Sequence, residues 1–303
     1  MAAAFDVQAF VKDLRTRKDY VDACLRKYMP AEIAYPPVIH QAMHYALFNG
    51  GKRLRPMLVL EGAQIAGGST ASVERTACAL EFIHTYSLVH DDLPAMDDDD
   101  YRRGQLTCHK VFGEANAILT GDALLTAAFG LIADNAGVDD IEARNVALVI
   151  KLVAKAAGSQ GMIGGQVLDL EAEHKSIDFE QLKVLQRLKT AELFRAALLA
   201  GAMLHNLPGP GVAALEQYAE KFGLVFQITD DILDVEGDFT VLGKPVGSDV
   251  RNDKNTYPSL FGLDTAKKMA QENAGACIEA LNVFGPEADF LRGLAFYVVS
   301  RKS

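Results

Sequence analysis

TACALEFIHTYSLVHDDLPAMDDDDYRRG, residues 76–104, is the stretch on which the reading of this chain turns. Its first half repeats apolar residues at helical spacing, which predicts a buried helix. That helix runs straight into six carboxylates, Asp91, Asp92, Asp97, Asp98, Asp99 and Asp100, and then into Arg102 and Arg103. A run of aspartates is commonly just a solvated loop. This one terminates an apolar helix instead of a polar tail, and it has a counterpart later in the chain.

Outward from that stretch, the same periodicity recurs almost everywhere. Ala- and Leu-rich segments such as ALVIKLVAKAAG and ELFRAALLAGAMLH suit buried helices with close neighbours. No run of alternating β-branched residues argues for a sheet. Breakers such as Pro36-Pro37, Gly50-Gly51, Gly67-Gly68 and Pro208-Gly209-Pro210-Gly211 separate the helical blocks. None is long or polar enough to be a domain linker. The expectation is one all-α domain over residues 1–303, a bundle of about ten or more helices. The segment 237–258 carries glycines with Lys244, Arg251 and Lys254. It suits a lid over an anionic site, although a plain surface loop fits its composition equally well.

Half of the 303 residues are hydrophobic and the formal net charge is −10, which argues against nucleic acid as a general partner. The four cysteines, Cys24, Cys78, Cys108 and Cys277, form no close pair and read as reduced thiols. The N-terminus reads as a helix, not a signal peptide, and no run approaches the roughly 20 apolar residues of a membrane span. These features predict a cytoplasmic protein without stable membrane insertion.

The counterpart cluster is FQITDDILDVEG, residues 226–237. At 100° per residue, Gln227, Asp230, Asp231 and Asp234 fall on one helical face, embedded in apolar sequence. Carboxylates so placed repel one another and resist desolvation unless a cation binds them. Oxygen-only donors suit Mg²⁺, which favours one or two carboxylates together with substrate phosphates. Two such clusters facing each other would hold a diphosphate between them through metal ions; an exposed acidic face is the plainer alternative.

Basic residues supply candidate anion contacts. GGKRLRP, residues 50–56, sets Lys52, Arg53 and Arg55 beside a Gly-Gly turn, where the backbone can approach an anion and guanidinium forks match phosphate oxygens. A basic turn that merely opens a helix fits too. His84, Ser87 and Leu88 share a helical face with Asp91. Lys189-Thr190, and Gly164-Gly165-Gln166 before Asp169, are weaker signals taken singly.

Together, HDDLPAMDDDDYRRG, FQITDDILD, GGKRLRP, LEFIHTYSLVHDD, GGQ, LKTAELF and GKPVGSD resemble, in order, the motifs of the short-chain trans-prenyl diphosphate synthases, over residues 40–260. The resemblance implies an all-α bundle around a deep cavity, usually a homodimer, that condenses an allylic diphosphate with isopentenyl diphosphate. It implies that Asp91, Asp92, Asp97, Asp230, Asp231 and Asp234 hold Mg²⁺, three ions in the closed complex. Arg102, Lys189 and Lys244 would contact the allylic diphosphate; Lys52, Arg55, His84 and Arg103 would bind isopentenyl diphosphate. Thr190 and Gln227 would face the developing allylic cation. Tyr86, followed by the small Ser87, stands at the family's product-length position, so the expected product is C15, with C10 and C20 left open. Closure over the site is expected from 237–258 and from Arg301-Lys302. A class I terpene cyclase is disfavoured by DDILD and the lack of tryptophan, a non-catalytic partner subunit by two intact acidic motifs, and a di-metal oxidase by the absence of E-x-x-H pairs.

Overall fold

The computed structural model describes residues 5–172, 175, 177–236 and 256–301. Lys244, Lys302 and most of the expected lid, 237–255, lie outside the described residues.

Helix follows helix as the periodicity predicts. Helix α1 (Val7–Tyr28) starts where the Asp6 carboxylate accepts from the backbone of Gln8 and Ala9, both at 3.0 Å, satisfying N–H groups that the first turn leaves unpaired. Helices α2 (Pro37–Phe48), with proline at its first position, α3 (Leu54–Ile65) and α4 (Glu74–Asp91) follow. A two-residue hairpin pairs Tyr101 with Leu106 and Arg102 with Gln105, and the short α5 (Cys108–Phe112) leads into α6 (Glu114–Ala133). Then come α7 (Ala143–Ala157), α8 (Met162–Ala172) and α9 (Phe179–Gln186), which a reciprocal Asp178–Gln181 capping box opens. After α10 (Glu192–Leu204) and the long α11 (Gly209–Glu236), α12 (Tyr257–Phe261), α13 (Leu263–Ala280) and α14 (Asp289–Ser300) close the chain.

Helices α3, α4 and α10 are buried on nearly every face, as helices apolar all round must be. The core includes Phe82, Phe194, Tyr218 and Phe222, all almost fully buried. Tyr218 is satisfied there by donating its hydroxyl to the Leu291 carbonyl at 2.9 Å, which ties α11 to α14. Arg17 of α1 pairs with buried Glu61 of α3 and lies 4.0 Å over the Phe290 ring.

By length and mean hydropathy, Glu114–Gly137 (1.5) and Ala143–Ala172 (1.4) are apolar enough to cross a membrane. Polar and charged residues such as Asp122, Lys151 and Lys155 interrupt both stretches, so neither is an unbroken apolar run. Both stretches pack into the bundle, though only 33% and 39% of their apolar windows are buried.

The crossing of α3 and α10 is unusually close. A Cβ at Gly62 would lie 2.1 Å from the Leu198 carbonyl oxygen, and one at Gly201 would lie 1.9 Å from that of Val59. Each glycine is therefore a packing requirement where two backbones meet. Gly201→Ala should destabilise the fold by about 1–3 kcal/mol, seen as a lower midpoint in thermal or urea unfolding.

Candidate active site

The first acidic cluster folds back on itself. Asp91 ends α4, and the amide of Asp97 donates to the Asp91 carbonyl at 2.9 Å, bringing the two ends of the spacing together. Gln166 of α8 donates to Asp91 Oδ1 at 2.5 Å, and Lys189 Nζ stands 4.0 Å from Asp91 Oδ2. Burial raises the Asp91 carboxyl to about 6, with Asp97 and Asp169 adding to the effect and Lys189 and Arg102 opposing it. Buried Asp92 is likewise raised by burial despite a fork from Arg102, whose Nε lies 2.7 and 2.9 Å from the two carboxylate oxygens. These carboxylates are short of positive charge, and their oxygen donors fit Mg²⁺.

Lys189 and Thr190 lie in a π-helical turn, Arg187–Ala191, between α9 and α10. Such wide turns interrupt α-helices at functional positions more often than elsewhere. Lys189 Nζ donates to Asp169 Oδ2 at 2.5 Å. Next to it, the Thr190 hydroxyl donates to Gln227 Oε1 at 3.4 Å, and Gln227 Nε2 donates to Asp231 Oδ1 at 2.9 Å. Adjacent residues of one turn thus reach both clusters, Lys189 the first and Thr190, through Gln227, the second. Within the second, Asp231 also accepts from the Tyr257 amide at 3.0 Å, so it ties α12 to α11. Asp234 is buried beside it, whereas Asp230 is exposed and pairs with Arg301.

Gly165 explains why the glycine pair precedes Gln166. Its Cβ would lie 2.2 Å from the Lys189 backbone nitrogen. Only glycine lets α8 come close enough for Gln166 and Asp169 to reach Asp91 and Lys189.

Beside Asp230 opens a cavity of about 450 Å³ lined by Lys52, Arg55, His84, Arg103, Phe194 and Arg301, among others. Arg55 lies 4.4 Å over the Phe194 ring, its Nε has no hydrogen-bond partner, and burial, with nearby Arg103, pulls it down to about 10. Lys52 is exposed at the rim, pushed down by desolvation and by Arg301 and Arg103. Burial and the guanidinium groups of Arg55, Arg103, Arg102 and Arg53 hold His84 well below its usual range, so its imidazole is neutral near pH 7. Arg103 donates to the Gly50 carbonyl at 2.5 Å. So much cationic charge with so little to balance it suits a multiply charged anion.

Arg53 turns the other way. Left-handed at φ 55° and nearly fully buried, it donates to Asp22 at 2.8 Å, Glu81 at 2.7 Å and the Leu47 carbonyl at 2.8 Å. It anchors the turn that presents Lys52 and Arg55; removing one partner of such a buried pair costs about 3–5 kcal/mol. Tyr86 is buried in the core, and Ser87 donates to the His84 carbonyl at 2.8 Å. The sequence did not reveal that His109 of α5 approaches Asp98 and Asp100, donor atoms within 4.8 Å of one another. No spacing rule links residues on separate elements.

An all-α bundle thus carries two acidic clusters reached from one turn, with a cationic pocket alongside. A family model described as "Polyprenyl synthetase" matches residues 36–282. The chain is 45% identical to the farnesyl diphosphate synthase of Micrococcus luteus over 280 residues, covering 92% of this chain and 94% of that one. It is 45% identical to the Bacillus subtilis farnesyl diphosphate synthase, covering 95% and 97%. The crystal structure of an FPP/GFPP synthase from Zymomonas mobilis superposes with a TM-score of 0.85 at 35% identity, over 97% of this chain and all of that one. The chain belongs to the polyprenyl synthetase family.

If Gly165 sets the approach of α8, Gly165→Ala should lower synthase turnover on the order of 10²-fold with helix content unchanged by circular dichroism. Wild-type turnover in the variant would remove that contact from the site.

Proposed function

We propose that this chain is a farnesyl diphosphate synthase, which condenses dimethylallyl or geranyl diphosphate with isopentenyl diphosphate to give the C15 diphosphate and inorganic diphosphate. The observation that carries the reading is the turn whose adjacent residues reach both acidic clusters, Lys189 toward Asp91 and Thr190 through Gln227 toward Asp231. It joins an anion-gripping end to a polar strip on which a cation can develop.

Asp91, Asp92, Asp97, Asp230, Asp231 and Asp234 would hold the magnesium, three ions when both substrates are bound. Bound Mg²⁺ neutralises charge building on the departing diphosphate. Lys189 and Arg102, with Lys244, grip that diphosphate and stabilise the same charge by preorganised electrostatics. The oxygens of Thr190 and Gln227 face the allylic carbon as its C–O bond breaks. Lys52, Arg55, His84 and Arg103 hold isopentenyl diphosphate, whose double bond attacks the cation; in line binding supplies the proximity term. The departing diphosphate takes the proton lost on the way to product. Arg301 and the 237–258 segment exclude water that would quench the cation.

Tyr86 forms the floor of the tail pocket, with Ser87 beside it. The single domain works in the cytoplasm as a homodimer, paired through the apolar side of α6 that the other described residues leave uncovered, where Ile118 is 45% and Leu119 55% exposed.

Incubation with Mg²⁺, isopentenyl diphosphate and either allylic starter should yield mainly the C15 diphosphate by mass spectrometry. C20 as the main product would overturn the chain length, and no elongation would overturn the synthase reading. Asp91→Asn and Asp230→Asn should each lower turnover on the order of 10²-fold or more, and Tyr86→Ala should lengthen the product. Sedimentation should give twice the 32.8 kDa chain mass; a monomer would refute the homodimer.

A further inference from the structure

The Tyr86 ring is held by packing alone. It is 5% exposed and its hydroxyl has no hydrogen-bond partner among the described residues, so none of them fixes by a polar contact where the ring stops. One turn along α4, the His90 ring meets it edge-on, with centroids 5.8 Å apart and planes at 81°. Residues four apart on a helix face each other in this way.

His90, in contrast, is fixed. Its Nε2 lies 2.9 Å from the Ile118 carbonyl oxygen; a carbonyl only accepts, so Nε2 carries the proton and donates. The ring fills a notch in α6 that exists because residue 121 is glycine. A Cβ at that position would lie 2.0 Å from His90 Nε2 and 2.4 Å from Cδ2. The seam between α4 and α6 is therefore filled in sequence by the open face of Gly121, the imidazole of His90 and the phenol ring of Tyr86.

We propose that His90, seated in the Gly121 notch, is a positioning residue for product length: it stops Tyr86 from retreating into the α4–α6 seam. The inference rests on the reading of Tyr86 as the pocket floor. A growing prenyl tail presses on that floor, and in a close-packed interior the ring can give way only into free volume behind it. On the side toward α6 that volume is taken by the His90 ring. With a smaller residue at 90, Tyr86 tilts back, the pocket deepens, and another five-carbon unit is admitted before release.

The test is the ratio of C20 to C15 product from Mg²⁺, isopentenyl diphosphate and geranyl diphosphate, with folding checked by circular dichroism and thermal melting. His90→Ala should raise that ratio severalfold. His90→Asn, smaller than histidine but still able to donate, should raise it less and stands in if the alanine variant does not fold. Adding Gly121→Ala to His90→Ala puts a methyl group back into the seam and should bring the ratio down again. A merely structural role for His90 would lower yield without moving the ratio in either step. Tyr86→Ala run alongside separates the two readings. If it lengthens the product while His90→Ala and His90→Asn leave the ratio at the wild-type value, the His90 role is overturned and the floor stands. If His90→Ala lengthens the product but the added Gly121→Ala does not reverse it, the seam-filling argument is overturned. If Tyr86→Ala stays at C15, the floor reading fails and the His90 role falls with it.

Discussion

The Lys189 ammonium, 2.5 Å from Asp169 and 4.0 Å from Asp91, is the contact on which the site hangs. It stands at the only wide turn among the described helices, where α9 gives way to α10, and it meets α8 across a gap that only glycine at 165 leaves open. From there Thr190 reaches Gln227 and Gln227 reaches Asp231. Lys189 thus ties its turn to α4 and α8, and Thr190 beside it ties the same turn to α11.

The bundle holds charge that it does not itself neutralise. Asp91 and Asp92 are raised by burial, Arg55 is lowered by it, and the guanidinium Nε atoms of Arg55 and Arg301 lack partners. Desolvating such groups opposes folding, and the apolar core of α3, α4 and α10 offsets that cost. The two sets of charge are opposite in sign and meet where Asp230 pairs with Arg301, so the acidic end and the cationic pocket adjoin each other.

Much of this was legible in the sequence. Helical spacing announced the all-α bundle, and the run of aspartates ending an apolar helix announced the first acidic cluster, although not the fold-back that the Asp97 amide makes. The shared helical face of Gln227 and Asp231 followed from 100° per residue. What stayed hidden depends on backbone states and on distant neighbours. Arg53 reads like Lys52 and Arg55, yet its left-handed φ turns it into the core toward Asp22 and Glu81. Nothing in Gly164-Gly165 says which glycine faces Lys189. The meeting of His109 with Asp98 and Asp100, and that of Arg301 with Asp230, are tertiary facts.

The central claim is that the two acidic helix ends grip a diphosphate through metal. It is tested most directly by calorimetric binding of an unreactive thiolo analogue of geranyl diphosphate, with Mg²⁺ and with EDTA, to the wild type and to Asp91→Asn. The account predicts tight binding with Mg²⁺ that is lost with EDTA and strongly weakened by Asp91→Asn. Equal affinity with and without Mg²⁺ would contradict it.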